Sequence, residues 1–553
     1  MNSFRAVTAQ GHHYSSNALV PAVWCTVLWC VTALSVTPPF GIIPTKGMTT
    51  QNKLFSSKPS TCYTPSIVLP TSSTISEVCE EDPEFFPMPA RGILIVDGFS
   101  EHHSGYMIDR AIHDYNIGVV RVISPYMARG LQTQLEELKQ LQDQHQLPVD
   151  YFQQTAPLDP QDLNTWLGCI PFPLEAILCE SDSGLDYTER LACAIDQLFT
   201  TNPQIHKPLK HNGYLEARRD KYLMNELCRS RGIQTVWQAL CRTPEEAVEV
   251  TQGFDASLST PVDIANHGII IKPRRGVASD RVALCRTLDE VSAAASQILE
   301  TIVFGTYDVV HDAVLMQEYV DGTEYAVDVV TRDGAHKTAA LWVYEKTSTS
   351  EDGTSNPFAY LSGKLVSSDD PNHPSALAIL DYVDDCLTAL EISWGMSHSE
   401  VKVSSIGYIR LMEVNVRQQN DHFGPLCSIC IGYNAMDMSL SACLDDPHDE
   451  DSLFASVPTR PILQRHGIIV NLACFVEGQV SQIYHLEEIQ NLESYVSMEL
   501  FPGFEVGNTV RRTKDIRSDC GWVHLVHERE DCMMRDYQIV RNRMLTMFEV
   551  VRD

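Results

Sequence analysis

The segment from residue 399 to residue 417 constrains the fold more than any other part of the chain, because it predicts a β-hairpin rich in charged residues. Residues 404–407 read Ser-Ser-Ile-Gly, which is a turn signal, and apolar-rich runs flank them on both sides. A turn centred between the last two of these residues places Glu400 opposite Glu413, with the two Cβ atoms about 5 Å apart. The pattern therefore predicts two carboxylates that face each other on adjacent strands.

Glu413, Asn415 and Arg417 lie on one face of the predicted hairpin, because side chains alternate between the two faces of a strand. Two carboxylates and an amide then converge beside a cation. Like charges this close raise a carboxylate pKa unless positive charge lies between them. Oxygen ligands without Cys or His suit Mg²⁺ or Mn²⁺, which proteins usually share with nucleotide phosphates. The segment thus predicts a metal site made by Glu400, Glu413 and Asn415; an exposed hairpin with ordinary surface carboxylates is the alternative.

A pattern typical of phosphate binding lies upstream of the hairpin. Lys272 follows an apolar run at 268–271 and precedes a turn of small residues at 276–279. A lysine that leaves a strand supplies a point charge for phosphate, and such a turn lets backbone N–H groups approach phosphate oxygens. Further on, the apolar strand 314–318 runs through a short connector into a second strand that carries Glu324. This pattern is typical of a phosphate site, although a Lys-Pro pair before a turn also occurs without one.

Taken in order, these motifs resemble those of ATP-grasp ligases, and more narrowly those of the L-amino-acid ligase, or carboxylate–amine ligase, branch. The likeness runs from about residue 90 to residue 553. It includes residues 179–185, Cys-Glu-Ser-Asp-Ser-Gly-Leu, which are similar to the branch's Glu-Ser-Gly-Val segment. It also includes residues 218–224, Arg-Arg-Asp-Lys-Tyr-Leu-Met, which are similar to its Arg-Asp-Lys-x-x-Met motif. Each motif alone is weak, and their shared order makes the resemblance specific.

The resemblance implies a nucleotide site. Lys221 and Lys272 resemble the two lysines that hold the ATP phosphates, and residues 275–280 resemble the flexible flap over the triphosphate. Residues 317–320 resemble the segment that binds adenine. Glu324 resembles the carboxylate that binds the ribose hydroxyls, a role that its acceptor oxygens suit. The implied ATP-binding residues are Lys221, Lys272, Arg275, Ala278, Ser279, Gln317, Glu318, Tyr319, Val320 and Glu324.

The resemblance also implies metal-binding and catalytic residues. Glu400, Glu413 and Asn415 look like the ligands of Mg²⁺ or Mn²⁺, with two ions expected. Arg417 resembles the catalytic arginine, and a guanidinium that keeps its proton suits the charge that develops on a transferred phosphoryl group. Lys272 is assigned a catalytic role beside it.

Two further residues are candidates for substrate contacts. His398 lies on the same face as Glu400 by the strand period of two, where it would contact substrate or phosphate; a packed histidine is the alternative. Glu180 is a candidate for holding a substrate amino group, against an ordinary structural role. The chain departs from many relatives just after Arg417, where they have glycines and this chain reads Gln-Gln-Asn-Asp-His-Phe. That departure affects the expected substrate surface more than the metal site.

The expected fold is multidomain, with α/β and α+β parts, because 553 residues exceed what one hydrophobic core normally supports. The run 92–98 predicts a buried strand, 105–115 a helix and 119–123 a second strand, which together make a βαβ unit and a parallel sheet. The G-x-G-x-x-G fingerprint is missing, so NAD is not predicted.

The resemblance divides the body into three parts. A Rossmann-like pre-ATP-grasp domain is expected at 89–204, a two-subdomain ATP-grasp domain at 205–440, and a small α+β C-terminal cap at 455–553. In the cap, strands are predicted at 467–472 and 521–526, and helices at 486–492 and 537–548.

The first 88 residues are interpreted as a leader outside the fold. Residues 1–76 contain no Asp or Glu, although the whole chain has 72. The run 18–36 is apolar and uncharged, and a Ser/Thr/Pro-rich stretch follows it. A signal-like segment before an acid-poor tail resembles the two-part plastid presequences of algae, so organelle targeting is favoured. A membrane anchor formed by 18–36 and a cytoplasmic location are the alternatives.

Composition narrows the range of partners. The net charge of −31 argues against nucleic acid as the main partner, because phosphate backbones attract Lys and Arg. The 17 cysteines are scattered and odd in number, which indicates reduced interior thiols rather than a disulfide framework. ATP and small carboxylate and amine substrates, amino acids above all, are the expected partners, and an oligomer is left open.

The predicted activity is carboxylate activation. A substrate carboxylate attacks the γ-phosphorus of ATP to give an acyl phosphate and ADP, and an amine then displaces phosphate to form an amide or peptide bond. Two alternatives within the same fold are a carboxylase-type enzyme that uses bicarbonate and an ATP-binding regulator without catalysis. A membrane-anchored scaffold that uses 18–36 is the alternative from a different class.

Overall fold

The structure is a computed structural model, and it describes most of the chain beyond residue 88. The leader, with its apolar run at 18–36, lies outside the described residues. Within the described part of the chain, no helix is both long and apolar enough to span a bilayer. The described residues are 89–98, 105–130, 150–153, 155–199, 201–202, 205, 207–257, 264–347, 358–417, 419 and 423–551.

The described chain begins with a four-stranded parallel sheet. Its strands are β1 (Gly92–Val96), β2 (Gly118–Val122), β3 (Asp150–Gln153) and β4 (Leu174–Cys179). Its helices are α1 (Tyr106–His113), α2 (Pro125–Gly130), α3 (Pro160–Leu167) and α4 (Leu185–Gln197). The strand order is β3–β2–β1–β4. The predicted βαβ start is confirmed, because β1, α1 and β2 are the predicted elements and β1 pairs in parallel with β2.

The apolar runs of this sheet are buried, as a parallel sheet covered by helices requires. Gly92 and Gly118 leave room for Phe172, because a Cβ at either glycine would overlap its ring. The carboxyl ends of β1 and β4 lie side by side, with Asp97 and Glu180 just beyond them. Open α/β sheets bind ligands at this edge.

A small antiparallel sheet follows. Its strands are β5 (Gln238–Cys241), β6 (Ile269–Pro273), β7 (Ala283–Cys285) and β8 (Val314–Glu318), in the order β5–β8–β6–β7. The helices of this part are α5 (Lys221–Ser230), α6 (Pro244–Ser257), α7 (Ile264–His267) and α8 (Leu288–Leu299). Helix α8 begins at a capping box, in which Thr287 and Glu290 each accept the other's backbone N–H. Its apolar face, with Val291 and Ile298, packs against this sheet.

The rest of the chain builds one large sheet and one three-stranded sheet. The strands are β9 (Gly322–Arg332), β10 (Ala335–Thr347), β11 (Ala359–Leu365), β12 (Trp394–Ser404), β13 (Ile409–Asn415), β14 (His466–Leu472), β15 (Gly478–Ile483), β16 (Tyr495–Leu500), β17 (Thr509–Val510), β18 (Gly521–His527) and β19 (Phe548–Val551). The helices are α9 (Ala376–Ala389), α10 (Phe423–Cys430), α11 (Ala435–Leu444), α12 (Leu453–Ser456), α13 (Leu486–Gln490) and α14 (Glu530–Met544). The large sheet has the order β13–β12–β9–β10–β11–β14–β18–β16, and the small one β17–β15–β19.

The central strand β9 is covered on both faces. Ala326 and Val330 pack with Trp342 in one hydrophobic cluster, to which α10 and α11 contribute. Val327 packs in a second cluster, to which α5 and α9 contribute. Every residue of β9 from Glu324 onwards is buried, so its polar side chains are held between two packed layers.

The C-terminal predictions are confirmed for three elements. The strands predicted at 467–472 and 521–526 are β14 and β18, and the helix predicted at 486–492 is α13. Because β14 pairs with β11, these strands extend the large sheet and do not form a sheet of their own. The predicted domain bounds themselves stay predictions.

The last predicted helix, 537–548, is wrong in its bounds. Helix α14 begins at Glu530 and ends at Met544, and Phe548 begins the strand β19. The missed signal is the charge pattern. Acidic residues occupy the first turn of α14 and basic residues occupy its last turn, which complements the helix dipole.

Candidate functional site

The predicted hairpin is formed by β12 and β13, and Glu400 lies opposite Glu413 as predicted. Nearer the turn, the strand pairs centre the hairpin on Ile406, so the predicted centre between Ile406 and Gly407 is wrong. A β-bulge at Met412 adds one residue to β13 and restores the pairing of the two carboxylates. Bulges of this kind re-aim side chains and are common beside active sites.

Glu413 is the centre of a charged network. Lys221 Nζ lies 2.8 Å from Glu413 Oε2, and Asn415 Nδ2 donates to Glu413 Oε1 at 2.8 Å. Burial alone would raise the pKa of Glu413, but Lys221, the Asn415 hydrogen bond and Lys272 lower it to about 2. Lys221 is held in place because it begins helix α5, which is capped by the Asp220 side chain.

Lys272 lies near the end of β6 and is 7% exposed. Its burial, and then the neighbouring Lys221, lower its pKa to about 8, against the opposite effect of Glu413 and Glu400. The two predicted phosphate lysines and the two facing carboxylates therefore belong to one electrostatic cluster. Such a cluster combines positive charge for phosphate with oxygen ligands for a cation.

His398 lies behind Glu400, between two carboxylates. Its Nδ1 is 2.9 Å from Asp328 Oδ1, and its Nε2 is 3.7 Å from Glu400 Oε1. The Trp342 indole N–H donates to the other Asp328 oxygen at 2.8 Å. Burial lowers the pKa of His398, but the two carboxylates outweigh burial and raise it to about 9. This geometry favours the packed alternative, since both ring nitrogens face carboxylates of the protein.

The flap connects β6 to β7. Arg275 pairs with Glu216, which lies just before α5. Ala278 and Ser279 have φ angles of 51° and 57°, a left-handed conformation that favours glycine. The structure thus places the predicted flap residues next to the start of α5, where Lys221 lies.

The predicted adenine segment, 317–320, begins with the last two residues of β8 and contacts β5 and the residue before it. Gln317 Nε2 donates to Gln238 Oε1 at 3.1 Å. Glu318 Oε1 accepts the backbone N–H of Trp237 at 3.0 Å. These contacts hold the two side chains toward the small sheet, so the backbone of the segment is the part best placed to recognise a base.

Two lysines that the sequence did not predict surround the predicted ribose carboxylate. Lys346 Nζ is 2.5 Å from Glu324 Oε1, and Lys402 Nζ is 3.9 Å from Glu324 Oε2. Lys402 also donates to Val320 O at 3.3 Å and lies 5.1 Å from the centre of the Tyr319 ring. A signal existed for Lys402, which lies two residues after a predicted metal ligand on the same strand. Lys346 comes from β10, and no local pattern indicates it.

Arg417 forms an ion pair that the sequence did not predict. Its Nε donates to Asp182 Oδ1 at 2.7 Å, and Arg219 Nη1 lies 4.0 Å from the same oxygen. Burial would raise the pKa of Asp182, but the two arginines lower it below its usual range. Asp182 belongs to the 179–185 segment that resembles the ligase family, which is the signal that pointed to it.

Glu180 precedes this pair at the carboxyl end of β4. It lies beside Asp97, and its backbone N–H donates to Val96 O at 3.1 Å. Burial raises the pKa of Asp97 to about 6, although Ser181 and Ser124 donate hydrogen bonds to it. The structure therefore gives Glu180 an acidic, hydroxyl-rich neighbourhood at the ligand edge of the first sheet, and its predicted role stays a prediction.

A hairpin-like loop at 301–311 reaches from the small sheet to the first domain. The Tyr126 and Tyr307 ring centres are 4.9 Å apart, and the Tyr307 hydroxyl donates to Tyr126 O. Arg129 lies over the Tyr307 ring at 4.6 Å. The same loop also lies against the segment that follows β4, where Gly305 approaches Ser183.

The donor set fits a hard divalent cation. Glu400, Glu413 and Asn415 supply oxygen donors on facing strands, and the donors include no thiolate. The Asn415 amide nitrogen, the end that repels a cation, is bonded to Glu413. Lys221 and Lys272 balance the carboxylate charge, so a metal brought in with a polyanion would keep the cluster near neutrality.

Comparison with known proteins agrees with this geometry. Residues 265–426 match the family model described as ATP-grasp domain. Dapdiamide A synthase from Enterobacter agglomerans is 24% identical over 275 residues, which is 50% of this chain and 58% of that protein. This chain therefore matches little more than half the length of that curated relative.

Two solved structures share the fold at low identity. An L-amino acid ligase from Bacillus licheniformis is 14% identical with a TM-score of 0.58, covering 84% of this chain and all of that chain. A carboxyaminoimidazole ribonucleotide synthase from Aspergillus clavatus, complexed with ATP, is 13% identical with a TM-score of 0.52, covering 83% and 99%. Residues 265–426 thus match an ATP-grasp domain, and the two solved structures show that this chain shares their fold.

Proposed function

We propose that this chain joins a carboxylate to an amine at the expense of ATP, with Mg²⁺, through an acyl phosphate. The observation that carries the proposal is the pairing of Glu400 with Glu413 beside Lys221, at 2.8 Å from Glu413. Phosphoryl transfer needs positioning and charge neutralisation more than covalent help from the protein, and this cluster supplies both.

ATP would lie between the small sheet and the large sheet. Lys221 and Lys272 hold its phosphates, the 317–320 backbone recognises the base, and Glu324 accepts from the ribose hydroxyls. Glu400, Glu413 and Asn415 would hold Mg²⁺, which neutralises charge on the phosphate oxygens when it is bound.

The reaction has two steps. An oxygen of the substrate carboxylate bonds to the γ-phosphorus as the bond to ADP breaks, and Arg417 stabilises the charge on the transferred group. The amine nitrogen then attacks the acyl carbon, phosphate leaves with the bonding electrons, and the nitrogen gives up a proton. The Arg417–Asp182 pair lies where the large sheet meets the first domain, so we place the carboxylate substrate there.

Amino acids are the substrates that we propose. Support comes from the acidic and hydroxyl-bearing edge around Glu180 and Asp97, which suits an ammonium group better than a phosphate. A bicarbonate-using carboxylase and a non-catalytic regulator are the other outcomes that the test distinguishes.

The test measures Mg²⁺- and ATP-dependent phosphate release by the full chain against single and paired L-amino acids. Stimulation by one pair, with a condensed product of matching mass, supports the ligase. Stimulation by bicarbonate alone supports the carboxylase. ATP binding without phosphate release on any substrate supports the regulator.

We also propose organelle targeting by residues 1–88, because residues 1–76 contain no acidic residue and include the apolar run 18–36. Fusion of this segment to a fluorescent protein tests the proposal. Diffuse cytoplasmic fluorescence contradicts it.

A further inference from the structure

The flap is strained near its tip. Ala278, Ser279 and Arg281 have φ angles of 51°, 57° and 52°, and none of them is glycine. Left-handed backbone is unfavourable for residues that carry a Cβ, and it persists where surrounding contacts determine it. The contacts that hold this flap are therefore informative about its function.

The base of the flap is held from the side of α5. The backbone N–H of Lys221 donates to Arg274 O at 3.0 Å, and Lys221 Nζ donates to Gly276 O at 2.7 Å. Arg274 Nη2 lies 2.5 Å from Asp220 Oδ2, and Asp220 is fully buried. These contacts fix the start of the flap at Arg274 and Gly276. They do not involve the residues at its tip.

The tip is held by the C-terminal region. Arg517 Nη2 lies 3.2 Å from Asp280 Oδ1 in the flap and 2.8 Å from Asp515 Oδ2. Asp280 pairs through its other oxygen with Arg281, one of the left-handed residues. A single guanidinium thus connects the flap tip to a segment far away in the sequence.

The turn that presents Arg517 is well braced. Asp515 accepts the backbone N–H of Arg517 at 3.1 Å, and Ser518 Oγ accepts that of Lys514 at 2.8 Å. Thr513 Oγ1 donates to Ser518 O at 2.9 Å and accepts the backbone N–H of Cys474 at 2.8 Å. The guanidinium therefore projects from a turn fixed to the end of β14, and the flap is the more strained partner.

We propose that Arg517 is a positioning residue that latches the flap over the ATP triphosphate by its ion pair with Asp280. This inference rests on the proposed function. Closure excludes water from the acyl phosphate, so loss of the latch lets water compete with the amine. The C-terminal region then controls how much ATP is spent per amide formed, without touching the reacting atoms.

The first experiment compares Arg517→Gln with Lys514→Gln, which removes one positive charge from the same turn at an exposed side chain. We expect Arg517→Gln to raise the KM for ATP about two- to five-fold, the range for a partly exposed ion pair. We also expect it to release phosphate in excess of amide, and Arg517→Lys to restore part of the coupling. Equal KM and equal phosphate-to-amide ratios in the Gln variants would overturn the latch.

A double-mutant cycle with Asp280→Asn assigns the effect to this pair. We expect the double variant to resemble Arg517→Gln, because either single change removes the same ion pair. Fully additive effects on the KM for ATP would show that Arg517 acts through another contact, and would overturn the proposal.

A measurement that does not depend on enzyme activity tests the latch separately from the proposed ligase function. Limited trypsin digestion of the full chain reports cleavage after Arg275 and Arg281, and mass spectrometry identifies the new ends. We expect faster cleavage there in Arg517→Gln than in Lys514→Gln, with and without a non-hydrolysable ATP analogue. Faster cleavage in a chain that never releases phosphate would support the latch and reject the proposed function. Equal cleavage of the two variants, in a chain that is an active ligase, would overturn the latch and support the proposed function.

Discussion

Arg417 and Asp182 form an ion pair, 2.7 Å from Nε to Oδ1, that joins the end of the β12–β13 hairpin to the segment after β4. Asp182 follows β4, and Arg417 follows β13, so the pair fixes the guanidinium from outside its own sheet. Arg219 Nη1 lies 4.0 Å from the same carboxylate oxygen and helps to stabilise the negative charge of Asp182. We infer that Asp182 orients Arg417, the arginine that we propose to be catalytic.

Asp182→Asn is expected to lower kcat about 10- to 100-fold while changing the KM for ATP little. The physical reason is the loss of a charge-assisted hydrogen bond to Arg417, worth about 1.5–3 kcal/mol. Steady-state kinetics measures the effects on kcat and on the KM for ATP separately. We expect Asp182→Glu to restore part of kcat. The matched control is Asp186→Asn, in which a half-exposed carboxylate loses its pair with Arg190 on α4. A parallel loss of ATP affinity in Asp182→Asn would contradict an orienting role.

Arg417→Ala itself is expected to keep ATP binding and lose phosphate release. The guanidinium acts on charge that appears only during transfer, so ground-state affinity for ATP does not depend on it. Calorimetric titration of ATP together with a phosphate assay measures the two effects. Collapse of nucleotide affinity would mean that the arginine is structural.

Glu413→Gln is expected to abolish turnover and keep the fold. The amide removes a cation ligand and the carboxylate that Lys221 and Lys272 share, so phosphate binding and metal binding are both disturbed. Circular dichroism reports the fold, and phosphate release reports the activity. Turnover equal to the natural chain would reject the metal assignment.

We expect Lys272 to make the proposed activity pH-dependent. Burial and Lys221 lower its pKa to about 8, so the folded chain loses this cation at a pH where a free lysine keeps it. We expect kcat/KM for ATP to fall as the pH rises through about 8. Lys272→Arg, which stays charged, is expected to be slower at neutral pH but to show no such fall. If kcat/KM fell in the same way in the natural chain and in Lys272→Arg, the titrating group would not be Lys272.

His398 contributes stability that depends on pH. Its folded pKa of about 9 lies above its ordinary value of 6.5, so the contribution is complete below about pH 6.5 and is lost as the pH rises through 9. Urea unfolding of the natural chain and of His398→Gln measures the difference in free energy of unfolding. We expect a difference on the order of 3 kcal/mol at low pH that shrinks toward pH 9. A difference that is constant across this range would contradict the account.

Local patterns predicted the parts of the site that lie on one strand or one turn. The facing of Glu400 and Glu413 follows from a single hairpin, whose two strands and turn are contiguous in the sequence. The bulge at Met412 was not predictable, because no periodicity signals one extra residue. The order of motifs, matched to a known family, then supplied the distant lysines.

The missed residues act across long sequence separations. Lys346 reaches Glu324 from a neighbouring strand, Asp182 reaches Arg417 from another sheet, and only the tertiary fold brings these charges together. An isolated charge looks like an ordinary surface residue until its partner is known. The bounds of α14 differ from the predicted helix for a different reason, because acidic residues in its first turn and basic residues in its last turn mark its ends.

The central claim is that a substrate carboxylate is activated as an acyl phosphate, and isotope transfer tests it most directly. The activating amino acid is labelled with ¹⁸O in its carboxylate and turned over with unlabelled ATP and the partner amine, and the released phosphate is examined by mass spectrometry. The account predicts one ¹⁸O atom in each phosphate, since the oxygen that attacks the γ-phosphorus leaves with it. Unlabelled phosphate formed together with the amide would contradict the account.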